Sequence, residues 1–233
     1  MFDLISALII LNPLAAAASI AGGMLSGRLY HESSEPLVAK LSISAISISL
    51  LLVVALLFIK LLALQPLPAT VNLLNWFSSG SVSIEIKLAL DLLALGMGSL
   101  FALLLFITIR FSKNYLHREK GYSRFFMILN MFSAAMLLIV LSGNAITAFI
   151  GWELAGLSSY LLIAYAYERP TGTQNATRVF ISNRLGDAGF ILALVLSFFW
   201  ASGSDWQSMN SELITLDTSQ RFIILCGFVL AAL

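Results

Sequence analysis

Seven apolar runs, at roughly 2–26, 37–64, 84–109, 124–142, 144–167, 176–201 and 220–233, fill most of the 233-residue chain. A bilayer core about 30 Å thick takes about 20 apolar residues per helical crossing, and six of the runs approach or exceed that length. The seventh stops at Leu233 after about 14 residues, too few to cross. Within hydrocarbon a segment must satisfy its own backbone hydrogen bonds, so the runs fold as helices. The fold class is therefore an all-α polytopic membrane protein, with about six full transmembrane helices plus a truncated seventh. Residues 1–64 hold two N-terminal transmembrane helices and residues 84–233 a transmembrane core that ends within helix seven. Between them, residues 65–83 form an outer-side interfacial loop or hairpin, with two prolines and with Trp76 at headgroup depth.

Lysine and arginine set the orientation. The connections after spans one, three and five, with their helix ends, carry ten of the 13 basic residues: Arg28, Lys40, Arg110, Lys113, Arg118, Lys120, Arg124, Arg169, Arg178 and Arg184. The opposite side keeps Lys60, Lys87 and Arg221, and its last connection holds Asp205, Glu212 and Asp217. Positive charge stays inside, so the N-terminus is expected outside and the odd-numbered connections inside.

Several function classes are disfavoured. A formal net charge of +1 gives no bulk attraction to nucleic acid. The single cysteine, Cys226, excludes an intrachain disulfide and a thiolate metal cluster within the chain. His31 and His117 lie far apart in polar connections and read as solvated loop residues rather than ligands. No dinucleotide fingerprint, phosphate loop or nucleophile elbow occurs. What remains is movement of protons or ions.

Three charges interrupt the apolar pattern. Glu153 lies nine residues into span five and Asp187 eleven residues into span six, which enters from the opposite face. At 1.5 Å per residue both reach the middle of the bilayer, about 14 to 16 Å deep. Arg184 is three residues before Asp187, on the same helical face. A charge at that depth costs at least about 2.5–3.5 kcal/mol, so it is normally paired, hydrated or functional. Gly151, Ala155 and Gly156 on span five and Gly186 and Gly189 on span six are expected to let the two helices approach. Ser158, Ser159 and Asn183 are expected to hydrogen-bond the charges or hold water. The functional reading is a proton relay of Glu153, Asp187 and Arg184. The alternative is an Asp187–Arg184 pair that only pins two helices, beside a protonated Glu153. Asp91 is either an interfacial i, i+4 partner of Lys87 or a further lining group.

These residues also carry a resemblance. REKGYSRFF (118–126), LNMFSAAMLLIVLSGN (129–144), GWELAGLSSYLLIAY (151–165) and NRLGDAGFILAL (183–194) together resemble subunit 5 of NADH:ubiquinone oxidoreductase, respiratory complex I, over roughly residues 70–233. The resemblance implies the N-terminal half of the antiporter-like inverted-repeat fold, with Glu153 matching the family's membrane glutamate and Arg184 with Asp187 its charged group on the sixth helix. It implies an enzyme subunit that translocates protons while quinone is reduced elsewhere. This chain would then bear no cofactor, with flavin, iron–sulfur clusters and quinone on other subunits. The implied partners are the other membrane-arm subunits, membrane lipids and a separate chain carrying the C-terminal part of subunit 5, because the sequence ends inside the seventh helix. The NRLGDAGFILAL block favours the mitochondrial inner membrane over a bacterial cytoplasmic membrane. The alternatives are part of a cation/proton antiporter or bicarbonate-accumulating membrane complex, or a non-conducting scaffold.

Overall fold

A computed structural model describes residues 2–29, 32–63, 65–79, 82–200 and 203–232; His31 lies outside them. Eight α-helices and one hairpin follow in the order α1 (Phe2–Leu25), α2 (Glu35–Leu61), β1 (Thr70–Ser79), β2 (Val82–Ala89), α3 (Leu92–Tyr115), α4 (Tyr122–Val140), α5 (Ala145–Ile163), α6 (Pro170–Trp200), α7 (Trp206–Leu213) and α8 (Thr218–Ala232). Helices α1 to α6 are each long and apolar enough to cross a membrane, with α2 preceded by a single 3₁₀ turn. The protein is a polytopic membrane helix bundle.

Two boundaries differ from the sequence expectation. The third span begins at Leu92, not 84, because residues 82–89 pair as β2 with β1 in an antiparallel ladder with two register shifts. The alternating VSIEIKLA pattern has a period of two, which suits a strand and not a helix. Asp91 then caps α3, accepting a hydrogen bond from the Ala94 amide at 2.7 Å. It is not the partner of Lys87, which pairs with Glu85 and Asp205 instead. The sixth span begins at Pro170, ahead of 176, since proline's fixed φ and missing N–H suit the first helical turn.

The buried apolar residues form two clusters, and α5 packs against both. A large apolar core joins α1 to α4, with Ile9, Ile46, Val53, Leu95, Phe126 and Leu137 buried in it. Within it, Pro13 lacks the N–H that would bond the Ile9 carbonyl four residues earlier. Ser49 of α2 supplies the donor instead, at 2.7 Å. A smaller cluster of Ala145, Ala148, Phe190 and Ala231 joins α5, α6 and α8.

Three of the four glycines expected between α5 and α6 serve other contacts, and only Gly156 faces α6 from α5. On α6, Gly186 and Gly189 face α8 and not α5: a Cβ at Gly189 would lie 2.9 Å from the Gly227 carbonyl oxygen, and one at Gly186 would lie 3.1 Å from that of Ala231. Gly151 of α5 faces α4, where a Cβ would lie 2.8 Å from Ile139 Cγ1. The α5–α6 contact is left open enough for charged side chains to occupy it.

The connections sort into two ends, as the charge pattern required. At the basic end, Ser123 donates to the Leu29 carbonyl at 2.8 Å and Arg124 to that of Tyr165 at 2.9 Å. His117, expected to be simply solvated, is 61% exposed yet sits 2.7 Å from Glu35, which also accepts from the Arg118 amide. At the other end the hairpin is stitched to the α4–α5 and α6–α7 connections. Gly143 donates to the Lys87 carbonyl at 2.8 Å, Asn144 to that of Glu85 at 2.8 Å, and the Lys87 ammonium lies 2.7 Å from Asp205 and 3.0 Å from Glu85.

Two outcomes are expected. Gly227→Val will prise α8 from α6, lowering stability by about 1–3 kcal/mol in a thermal or denaturant melt of the detergent-solubilised chain. Burial pushes the Lys87 pKa down, but hydrogen bonds from its ammonium to Asp205 and Glu85 outweigh that and raise it above its ordinary 10.5. Because the folded pKa is the higher, the clamp's contribution is complete below pH 10.5 and is lost as pH rises through the folded value. A melting series from neutral to strongly alkaline pH will show this loss, and Lys87→Met will remove that part of the pH dependence.

Candidate functional site

Between α5 and α6 one arginine serves acids from both helices. Asn144 starts α5 by accepting a hydrogen bond from the Thr147 amide at 2.7 Å, which fixes the helix at the hairpin end. Two turns on, Trp152 and Glu153 are consecutive, so their side chains diverge to either flank of the facing helix. Arg184 lies between the acids: Nη2 is 2.6 Å from Glu153 Oε2, and Nε is 3.0 Å from Asp187 Oδ2. Its guanidinium also stands 4.8 Å from the Phe180 ring centroid, one turn back on α6.

The two acids differ in their surroundings. The Asp187 side chain is 5% exposed and that of Glu153 29%. Trp152 donates its indole N–H to Asp187 Oδ1 at 2.9 Å. Asp187 Oδ2 is buried without a hydrogen bond, so Arg184 meets it as an ion pair and not as an aligned donor. An uncompensated buried charge is costly, so the bond to Trp152 and the arginine together keep this carboxylate in place. Phe190 packs under the indole, with ring centroids 6.1 Å apart, and itself contacts Phe149 and Phe228 at 5.3 and 5.4 Å.

Beside the charges a cleft of about 290 Å³ opens among α4, α5, α6 and α8, lined in part by Trp152, Gly156, Ser159, Asn183 and Gly186. A Cβ at Gly156 would lie 3.9 Å from Arg184 Nη2, so this glycine leaves room beside the guanidinium. A cleft of that size with polar edges can take water. Chemically, one cation between two carboxylates can be drawn to either. A proton arriving on either acid weakens its hold on Arg184 and leaves the arginine to the other.

All three charges singled out in the sequence are thus brought together. The neighbouring hydroxyls do not reach them: Ser158 turns back to the Leu154 carbonyl at 2.6 Å and Ser159 to that of Gly156 at 2.9 Å. Trp152 was missed as a site residue. Its signal was present, since an indole N–H in an apolar span needs an acceptor. The Lys87–Asp205 contact was missed as well, because residues 118 apart in sequence give no local pattern.

Comparison with known proteins places this geometry. Residues 142–233 match the family described as NADH:quinone oxidoreductase/Mrp antiporter, TM, and residues 76–126 match NADH-Ubiquinone oxidoreductase (complex I), chain 5 N-terminus. The chain belongs to the antiporter-like membrane-subunit family. It is 37% identical over 158 residues to the chloroplastic NAD(P)H-quinone oxidoreductase subunit 5 of Anthoceros angustus, covering 66% of this chain and 21% of that protein. It is 32% identical over 208 residues to subunit 5 of organellar chromatophore 1 of Paulinella chromatophora, covering 88% of this chain and 30% of that protein. The chain therefore spans between a fifth and a third of the relatives' length. In fold it is similar to a chain of the Mrp complex from Dietzia sp. DQ12-45-1b, with a TM-score of 0.77 at 19% identity over 97% of this chain and 23% of that one. It is also similar to a chain of an archaeal membrane-bound sulfane sulfur reductase, with a TM-score of 0.72 at 12% identity over 97% of this chain and 43% of that one. These two subunit 5 relatives are chloroplast and chromatophore proteins, which gives the mitochondrial expectation no support.

The region matched, residues 142–233, contains the whole Glu153–Arg184–Asp187 bridge. Trp152→Phe is expected to strip the buried Asp187 oxygen of its donor at a cost of about 1–3 kcal/mol. A denaturant melt beside that of Trp206→Phe, whose indole bonds a loop carbonyl at 3.2 Å, checks that the loss is specific to the bridge.

Proposed function

We propose that this chain works as a proton-translocating membrane subunit of an NAD(P)H:quinone oxidoreductase, with Glu153, Arg184 and Asp187 as one station of the path. The observation that carries the reading is the shared arginine, within ion-pair reach of carboxylates on two different spans. A guanidinium stays charged throughout, so the only quantities free to change are its position and the protonation of the acids. Glu153 is the more exposed acid and faces the proton supply; Asp187, buried and hydrogen-bonded to Trp152, is the counter-charge to which Arg184 returns. Redox chemistry belongs to other subunits, where flavin, iron–sulfur clusters and quinone reside, and those subunits and the remaining length of the relatives complete the path.

Glu153→Gln keeps the shape and removes the titrating group. In sealed vesicles it is expected to lower the number of protons moved per electron passed to quinone, with NADH oxidation slowed or uncoupled. A wild-type ratio in that variant would sink the relay.

A second reading, exchange of a cation for protons, is favoured by one observation: the family matched over residues 142–233 is named for both the oxidoreductase and the Mrp antiporter. The same vesicles separate the two. Proton movement driven by a sodium gradient in the absence of quinone supports exchange, and movement that requires NADH and quinone supports the oxidoreductase.

A further inference from the structure

At the basic end of the bundle, the loop between α3 and α4, the first turn of α4 and the loop between α5 and α6 enclose a second hollow, of about 340 Å³, which the proton path does not use. Arg118, Lys120, Arg124 and Arg169 line it, with Tyr165 and Tyr167 as its aromatic walls. Two acids, Glu119 and Glu168, also line it, so the four cations leave an excess of two positive charges. The cations are available. Among the described residues Lys120 and Arg169 make no ion pair, and the ion pair of Arg118 is a long one, 3.9 Å to Glu32.

Arg124 is held ready for a ligand. One of its N–H groups donates to the Tyr165 carbonyl at 2.9 Å, and its guanidinium stands 4.7 Å from the Tyr167 ring centroid and 5.8 Å from that of Tyr165. Tyr165 is fixed in turn by donating its hydroxyl to the Lys120 carbonyl at 2.9 Å. Four N–H groups of the fork remain for an anion, and a planar fork with separate cations around it matches the several oxygens of a phosphate. A neighbouring hollow shares Arg118, Lys120, Arg124 and Glu119 but adds Glu32 and Glu35, so its three acids balance its three cations and the side facing the α5–α6 loop keeps the positive excess an anion needs. The two connections that line the hollow join helices long and apolar enough to cross a membrane, so the hollow is expected at headgroup level. Basic pockets between spans at that level recognise acidic headgroups.

We propose that this hollow binds a phosphate group, carried by the headgroup of an anionic phospholipid or arriving as free phosphate. The test uses the full chain, extracted in mild detergent with the subunits it retains. It is placed in nanodiscs of phosphatidylcholine with rising phosphatidylglycerol, and retained lipid is counted by native mass spectrometry.

The expected result is one phosphatidylglycerol retained over phosphatidylcholine. Each basic residue near the surface is worth about fivefold in affinity, so Lys120→Gln with Arg169→Gln weakens retention about twentyfold, and adding Arg124→Gln weakens it about a hundredfold. Lys40→Gln, on the same end but outside the hollow, leaves retention unchanged. The double variant keeps Arg124 and its bond to Tyr165, so its melt guards against reading a folding defect as lost binding. Displacement of the lipid by inorganic phosphate, or a phosphate-dependent rise in melting temperature without lipid that these variants abolish, identifies free phosphate as the source. Binding of phosphatidylglycerol that inorganic phosphate does not disturb identifies the lipid. Equal retention of both lipids with no response to inorganic phosphate, or equal retention of phosphatidylglycerol by the unsubstituted chain and the double variant, overturns the proposal.

Discussion

A guanidinium cannot give up its proton inside a membrane, and the architecture of α5 and α6 follows from that. Arg184 has to be matched by carboxylates, and the matching acids come from both helices, Glu153 at 2.6 Å and Asp187 at 3.0 Å. Two acids for one cation leave one negative charge in excess, and part of that excess rests on Asp187 through the indole of Trp152. Ion pairs deep in protein gain little net stability over apolar packing, because desolvating the ions offsets their attraction.

The rest of the bundle is arranged to leave that bridge room. Close helix contacts are placed elsewhere: Gly189 and Gly227 bring α6 against α8, and Gly151 brings α5 against α4. Each contact is backbone against backbone or side chain, with no space for a long residue. The α5–α6 contact, by contrast, has Gly156 opposite the arginine and a cleft of about 290 Å³ beside it. Tight packing on the outer flanks holds the two helices at a spacing that suits Arg184. The first four spans form an apolar core, in which Ser49 covers the carbonyl that Pro13 leaves bare. Lys87 then ties the hairpin to Asp205, in the connection after α6.

Much of this was legible in the chain. Six spans followed from run length, since the bilayer fixes how many apolar residues a crossing needs. The sorting of connections into two ends followed from arginine and lysine. The charged trio followed from depth counting on two antiparallel helices. Other features were not legible, each for a stated reason. That the hairpin extends through Ala89 was missed because VSIEIKLA is apolar enough to pass for the start of a span, and only its period of two betrays it. Asp91 and Lys87 are spaced like helical partners but sit on a cap and a strand.

What the sequence determined by itself was the kind of solvent the chain requires, the number of crossings and which residues would be too costly to leave unpaired. Those are local or additive properties, set by hydrophobicity, length and burial cost. What only the tertiary structure decided was which groups meet. Whether Gly189 faces α5 or α8, whether Arg184 serves one acid or two, and which acceptor the Trp152 indole finds all depend on helix rotation and crossing. A rotation about a helix axis changes no hydrophobic total in a span that is apolar on nearly every face, so composition cannot encode it. It is fixed by the few small and polar residues through which the helices touch.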